Sequence, residues 1–185
     1  MLSKSSQMQA LFIILGAFIV LVLGLFIFSL FLSPVVKVER SLVIPAEAAV
    51  IFPLVNVVRN WELWSPWKAQ DPSVKITYGE KESGAGAGYS WESRNRNVGR
   101  GHMSVTESKP DQYIATSTDF TGMGTAKGYF RFEPVAGGTR VTWGMVCDMG
   151  QQPLRKVMGL MMDKWVGSDF EKGLEALGKI VNRNP

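Results

Sequence analysis

The sequence is short of the residues that build metal and redox sites. Of its 185 residues one is a cysteine, Cys147, and one is a histidine, His102. A single cysteine excludes an internal disulfide and a cysteine-rich zinc cluster, and a single histidine excludes a histidine-rich metal site or a pair of imidazoles. We therefore expect no bound metal and no cofactor.

Charge of either sign is also scarce. The chain has 20 Lys and Arg against 16 Asp and Glu, and Lys4 is the only charged side chain before residue 37. The remainder holds 19 basic and 16 acidic side chains, a net charge of about +3. Nucleic-acid-binding domains usually carry a clustered basic face, so we expect no nucleic-acid partner. Weak attraction to anionic lipid headgroups stays open.

One long apolar run dominates the N-terminal part, because residues 10–32 contain no charged side chain. As a helix this segment would span about 30 Å of hydrocarbon with some tilt. Signal peptides have a shorter apolar core and a small-residue cleavage site, and residues 31–35 offer no such site. The sequence therefore predicts a short tail at 1–9, a transmembrane helix at 10–32 and a folded domain at 33–185.

The tail favours one orientation. A short segment holding Lys4 most simply stays in the cytoplasm, which places the domain on the opposite side of the membrane. We expect a single-pass protein of a bacterial inner membrane with an extracytoplasmic domain. Gly16 and Gly24 lie near one helix face, which would suit either a close partner helix in a membrane protein complex or ordinary transmembrane glycine usage.

The pattern of the domain predicts an α+β fold. Alternating apolar and polar residues at 36–44 indicate a first strand, and 46–55 and 57–64 are typical of two short helices, the first kinked or ended by Pro53. Six further strands separated by turn residues follow at 73–79, 88–94, 98–108, 112–120, 125–134 and 139–148. After Pro153 one long helix is expected to pack on the resulting antiparallel sheet.

That long helix carries apolar residues spaced by three, four or five positions, as on one helical face. These residues are Leu154, Met158, Met161, Trp165, Phe170, Leu174, Leu177 and Val181. We expect the whole stripe to face the sheet. On the opposing sheet face Thr116, Thr118 and Gly128 are unusual for a tight apolar core, and they indicate internal space or a polar contact.

Seven segments resemble the SRPBCC group, the polyketide cyclase/dehydrase-like branch of the Bet v 1 and START-like superfamily. They are VERSLVIPA at 38–46, FPLVN at 52–56, NWELWSPW at 60–67, DPSVKITY at 71–78, MSVTESKP at 103–110, FEPVAGGTRVTW at 132–143 and GSDFEKGL at 167–174. The resemblance implies a helix-grip fold, in which a seven-stranded antiparallel sheet wraps a long C-terminal helix around a cavity for hydrophobic ligands. Thr116 and Thr118 depart from the bulkier apolar residues typical of this branch.

Strand alternation, the helical stripe and this resemblance together predict a cavity lining. The expected lining residues are Trp64, Tyr89, Trp91, Met103, Thr116, Thr118, Phe130, Trp143, Met145, Met158, Met161 and Trp165. None of them is a general acid or base, so we assign no catalytic residue. His102 is expected on the outer sheet face, and Cys147 is expected to be an inert inward-facing thiol.

Three functions remain open at this stage. The favoured one is binding of a hydrophobic small molecule, such as a lipid, isoprenoid or quinone, by a membrane-anchored domain. A cyclase or dehydrase enzyme would need Tyr78, Asp119 or His102 to turn into the cavity with a strongly shifted pKa. A structural accessory subunit of a membrane protein complex would need neither ligand nor chemistry.

Overall fold

The structure is a computed structural model that describes residues 4–122 and 124–183. Helix α1 (Lys4–Leu30) precedes the domain, which contains α2 (Ala48–Asn56), a 3₁₀ helix (Val58–Leu63), α3 (Pro66–Gln70) and α4 (Pro153–Arg183). The strands are β1 (Val35–Ile44), β2 (Lys75–Tyr78), β3 (Gly88–Glu92), β4 (Arg100–Lys109), β5 (Tyr113–Phe120), β6 (Gly124–Val135) and β7 (Gly138–Asp148). The predicted α+β helix-grip class is confirmed.

All seven strands form one antiparallel sheet in the order β1-β7-β6-β5-β4-β3-β2. Strands β2 to β7 follow one another as a meander, and β1 closes the sheet by pairing with β7 from Val35 opposite Asp148 to Ile44 opposite Thr139. The N-terminal end of β1 and the C-terminal end of β7 therefore lie together, close to the end of α1.

Helix α1 is long and apolar. Within Gln7–Leu30 a stretch of 18 residues has a mean hydropathy of 3.2 and is not buried by the rest of the protein, so by length and composition alone this helix can cross a membrane. Anchors and signal sequences near an N terminus share these properties. The described helix starts at Lys4, inside the expected tail, and ends two residues before the expected boundary at 32.

The first domain helices differ in detail from expectation. Helix α2 continues through Pro53 to Asn56, since the tertiary contacts of its buried residues Ile51, Phe52 and Val55 outweigh the lost hydrogen bond. The short helix α3 was not predicted. It starts with Pro66 at its first position, where the missing N–H has no cost.

The second half of α4 packs on the sheet as predicted. Phe170, Leu174, Leu177 and Val181 are all buried. Trp143 of β7 stacks on Phe170 with ring centroids 4.1 Å apart and an interplanar angle of 15°. This aromatic pair joins β7 to α4.

The expectation that one continuous stripe of α4 faces the sheet is wrong for the first half of the helix. Leu154, Met158, Met161 and Trp165 are 73%, 48%, 46% and 50% exposed. The step of five residues from Trp165 to Phe170 explains the difference. At about 100° per residue, the four apolar residues at 154–165 and the four at 170–181 have mean directions around the helix axis that differ by about 160°.

Helix α4 runs alongside β1 from end to end. A methyl group on Gly159 would lie 2.8 Å from Val36, near the start of β1. A methyl group on Gly178 would lie 3.7 Å from Ile44, at the end of β1. The first half of α4 therefore lies near the end of α1, and α1 contacts α4 directly.

An ion-pair cluster fastens α4 to β1 between these points. The Arg40 guanidinium donates to Glu171 Oε1 at 2.6 Å and to Asp163 Oδ1 at 2.9 Å. It lies across Gly167, where an added methyl group would meet Nη2 at 2.2 Å. The Arg40 guanidinium holds the pKa of the Asp163 carboxyl below its usual range. We call Arg40, Asp163 and Glu171 the β1–α4 clamp.

Two glycines of α4 give a test of the aromatic contact. A methyl group on Gly173 would lie 2.6 Å from the Trp143 ring, whereas one on Gly178 would make only ordinary contacts at 3.7 Å. We expect Gly173→Ala to lower the free energy of unfolding by about 1–3 kcal/mol through overpacking. Gly178→Ala should raise it by up to about 1 kcal/mol, because alanine favours the helix.

Thermal unfolding of the full chain in one mild detergent, followed by circular dichroism, compares both variants with the unchanged protein. Equal and small effects of the two substitutions would contradict the proposed close contact between Gly173 and Trp143.

Candidate functional site: the cavity between the sheet and α4

A cavity of about 1710 Å³ lies between the inner face of the sheet and the first half of α4. Strands β2 to β7 form one wall, and the 3₁₀ helix, α3 and residues up to Lys172 of α4 form the others. Its border includes the exposed side chains Met158 and Trp165, so the cavity opens to the surface there. Pockets for small molecules measure about 300–1000 Å³, so there is room for a large ligand.

Nine of the twelve expected lining residues border this cavity. They are Tyr89, Trp91, Met103, Thr116, Thr118, Trp143, Met145, Met158 and Trp165. Their contact with a ligand stays a prediction. Most of these side chains are aromatic or carry a thioether, and such groups adapt to irregular apolar surfaces.

The other three expected residues, Trp64, Phe130 and Met161, are not part of the lining. Trp64 and Phe130 are buried behind the cavity wall, where each packs on Trp143, with centroids at 5.4 Å and 5.0 Å. Trp64 Nε1 donates to the carbonyl of Leu54 at 2.9 Å, which holds the indole in the core. Met161 lies on the exposed stripe of α4 and is not part of the cavity border.

The three small residues that indicated internal space all border the cavity. Thr116 is buried, and its hydroxyl lies next to Gly128, where an added methyl group would be only 2.4 Å from Thr116 Oγ1. Thr118 is half-buried one pleat further along β5. Short side chains at these positions leave this part of the wall open.

The three indoles at 61–67 have different environments. Trp61 is buried, borders the cavity and donates from Nε1 to the carbonyl of Val55 at 2.8 Å. Trp67 is half-buried, borders the cavity and meets Trp143 edge-on at 5.7 Å. Of these three indoles, Trp64 packs in the core, whereas Trp61 and Trp67 border the cavity.

The sequence interpretation named Tyr78 but missed its partner at the cavity edge, Glu62. The Tyr78 hydroxyl donates a short hydrogen bond to Glu62 Oε1, and both residues border the cavity. The Arg59 guanidinium lies over the Tyr78 ring at 4.2 Å, and Lys68 Nζ lies 3.9 Å from Glu62. Burial and the neighbouring Glu62 carboxylate raise the pKa of Tyr78, so its hydroxyl stays protonated.

Two further groups of the wall are neutral at physiological pH. Burial raises the pKa of the Tyr89 hydroxyl, which lies beside Tyr78 with ring centroids 6.0 Å apart. Burial likewise raises the pKa of the Cys147 thiol, which borders the cavity. The inner wall therefore offers hydroxyl and thiol groups but little charge.

Of the three residues named for an enzymatic role, only Tyr78 borders the cavity. His102 lies 3.0 Å from the Ser90 hydroxyl through Nδ1 and pairs across the sheet with Asp119. Neither His102 nor Asp119 is part of the cavity border. In the described ranges 4–122 and 124–183, no group of three or more His, Cys, Asp or Glu could hold a metal ion.

The glycine run at 84–88 lies between β2 and β3, and Gly86 N donates to the carbonyl of Val105 at 2.8 Å. It leads into a strand, as expected of a hairpin connection and unlike a phosphate loop. At the opposite end of the strands, where β5 turns into β6, Gly122 and Gly124 border the cavity. Met123 between them lies outside the described residues.

Comparison of the sequence with protein-family models identifies the domain. Residues 35–182 match the family described as polyketide cyclase / dehydrase and lipid transport. The chain belongs to this family. The match confirms the resemblance on which the fold was predicted, and it covers the whole sheet and nearly all of α4. No curated protein matches the sequence.

Solved structures share the fold of this polyketide cyclase / dehydrase and lipid transport domain. SA2116 from Staphylococcus aureus is 14% identical with a TM-score of 0.62, and the match covers 80% of this chain and 94% of that chain. Ara h 8.0201 is 16% identical with a TM-score of 0.57, covering 81% and 99%. These neighbours confirm the Bet v 1-like fold and, at such identities, the fold alone.

A third structure is the di-domain ARO/CYC StfQ from the steffimycin biosynthetic pathway. It is 10% identical with a TM-score of 0.60, and the match covers 80% of this chain and 52% of StfQ. The family domain found here therefore spans about half of that protein.

The single thiol of the chain provides a test of the cavity geometry. Cys147 is half-buried in the wall, and burial raises its pKa, so we expect N-ethylmaleimide to label it at least about tenfold more slowly than free cysteine at pH 7. The rate should rise with pH, because the thiolate fraction grows toward the raised pKa. Mass spectrometry of the full chain measures the labelling.

A variant with Cys147→Ser and Ala136→Cys supplies the control, since Ala136 is exposed in the connection between β6 and β7. Fast labelling of that thiol and slow labelling of Cys147 are expected. Equal rates would contradict the buried position of Cys147.

Proposed function

We propose that the protein is a membrane-anchored binding protein for a hydrophobic small molecule of the lipid, isoprenoid or quinone class. The observation that carries this proposal is the cavity of about 1710 Å³, walled mainly by apolar and uncharged side chains. Burial of apolar ligand surface contributes roughly 25 cal/mol per Å², so a large greasy molecule would bind there without any charged contact.

Several charged side chains that border the cavity already have partners. Arg40 pairs with Asp163 and Glu171, and Glu62 accepts from Tyr78. A charged ligand would have to displace these contacts, whereas an uncharged one would leave them intact. The arrangement therefore favours a ligand whose main body is neutral.

The anchoring part of the proposal is supported by α1. Its side chains from Leu11 to Leu30 are largely exposed and apolar, a surface that water does not favour. Ser29 Oγ donates to the carbonyl of Phe26 at 2.6 Å, which satisfies the hydroxyl within the helix. Only residues 31–34 separate α1 from β1, a reach of at most about 14 Å. The domain is thereby held near the lipid that would supply its ligand.

The ligand can be sought directly. We expect the full chain, purified in mild detergent, to retain a hydrophobic compound that organic extraction and mass spectrometry detect. Thr118→Phe places a ring in the cavity and should reduce the retained amount at least about fivefold, because the ring competes for the same space.

The matched control is Ser117→Phe, one position earlier in β5, which is not part of the cavity border. This variant should retain the compound. Retention of nothing by the unchanged protein, or equal losses in both variants, would contradict the proposal.

A cyclase or dehydrase activity is a second candidate, favoured by the Tyr78–Glu62 pair. A neutral tyrosine hydroxyl beside a carboxylate at the cavity edge can donate a proton to a departing or developing oxygen. The inner wall supplies an apolar chamber in which a flexible substrate would be folded. Family membership is compatible with this activity.

The two candidates differ in the chemistry of the bound compound. An enzyme of this type should leave a bound product in the unchanged protein, and Tyr78→Phe should retain its precursor. The precursor of a dehydration is heavier by one water molecule, whereas the precursor of a cyclisation is an isomer of the same mass. A pure binding protein should retain one and the same compound in both. Liquid chromatography with mass spectrometry of the extracted compounds distinguishes these results, and compounds of identical mass and retention time would contradict the enzymatic candidate.

A further inference from the structure

The exposed stripe of α4 is an unpartnered apolar surface. Leu154, Met158, Met161 and Trp165 follow one another at intervals of four, three and four residues, which places them within about 60° of one helical face. Each is between 46% and 73% exposed. We call these four residues the outer stripe.

The outer stripe lies on the side of the domain nearest to α1. Gly159, within the same turns of the helix, faces Val36 at the start of β1, and Met149 N donates to the carbonyl of Pro34 at 2.7 Å. In both contacts the residue near β1, Val36 or Pro34, lies within six residues of the end of α1 at Leu30. The start of α4 is thus fixed beside the point where the chain leaves α1.

The composition around the stripe fits a lipid interface. Tryptophan and long apolar side chains favour the boundary between headgroups and acyl chains, and lysines favour anionic headgroups. Lys164 is exposed beside the stripe, and Lys172 continues its line about two turns beyond Trp165. The carboxylates Asp163 and Glu171 both pair with Arg40 in the clamp, which offsets one of their two negative charges.

We propose that the outer stripe enters the surface of the membrane leaflet in which α1 ends. This inference rests on the anchoring proposed for α1, and it adds a second attachment that fixes the orientation of the domain. A free water-exposed stripe and a stripe covered by another protein or a second copy are the alternatives that the experiment separates.

The consequence for ligand binding follows from the cavity border. Met158 and Trp165 belong both to the outer stripe and to the cavity opening. With the stripe in the leaflet, the opening faces acyl chains, so an apolar ligand enters from lipid without crossing water. The leaflet is then the source of the ligand.

Spin labels on α4 test this arrangement in the full chain. In a Cys147→Ser background, Met161→Cys places a nitroxide on the stripe. Lys179→Cys places one on the same side of the helix five turns later, where α4 is about 27 Å further from its start. Both positions are exposed. The proteins are reconstituted in vesicles of phosphatidylcholine and phosphatidylglycerol.

Collision rates with oxygen, which concentrates in lipid, and with a water-soluble nickel chelate report the surroundings of each label. We expect oxygen to exceed the chelate at position 161 and the chelate to exceed oxygen at position 179. Chelate collisions as frequent at 161 as at 179 would overturn the proposal. Shielding of position 161 from both reagents would also overturn it and indicate a protein cover.

Flotation of the same vesicles separates failure of the anchoring from failure of the stripe proposal alone. A chain that does not float with lipid would overturn the anchoring and the stripe proposal together. Ligand retention, measured by extraction from the purified protein, stands or falls independently of both results.

Discussion

The stack of Trp143 on Phe170 determines how closely α4 approaches the sheet. Trp143 is held on its other side by Phe130, with centroids 5.0 Å apart, so the ring cannot yield toward the sheet. Beyond Phe170, the buried residues Leu174 and Leu177 close the helix onto the sheet. Before Phe170, the apolar side chains Met162 and Val166 are only partly buried. The cavity is the space left on that side of the stack.

This division is visible in which residues of α4 reach the cavity. Those that border it extend only to Lys172, and the closely packed residues follow from Gly173 onward. One helix therefore has two roles: its second half completes the hydrophobic core, and its first half roofs an open chamber. A uniform apolar face would have closed the chamber, because a continuous stripe would pack along the whole length of the sheet.

The sequence predicted the strands well and the helix face incompletely. Strand alternation and glycine-rich turns are local signals, and β7 was expected at 139–148 against Gly138–Asp148 in the structure. The orientation of α4 depends on the phase of its apolar residues. A step of five rotates the helix by about 140°, so spacing alone merged two opposite stripes into one.

The candidate site shows the same limit. Thr116, Thr118 and Gly128 indicated internal space because small or polar residues on an inward strand face are a local anomaly. The contact of Tyr78 with Glu62 joins β2 to a 3₁₀ helix, and no periodic pattern predicts how those elements dock. Phe130 was expected at the cavity from strand alternation and Trp64 from the helix-grip resemblance, but the close packing of several large rings places some of them behind others.

The β1–α4 clamp lies at the boundary between the two halves of α4. Asp163 precedes the change of face between Trp165 and Phe170, Glu171 follows it, and Arg40 binds both across Gly167. The helix is therefore fixed to β1 at the point where its packing changes. A displacement of the first half that widens the opening at Met158 and Trp165 would end at this clamp. The aromatic stack and the core beyond it would keep their contacts, so the chamber can open at the cost of few buried interactions.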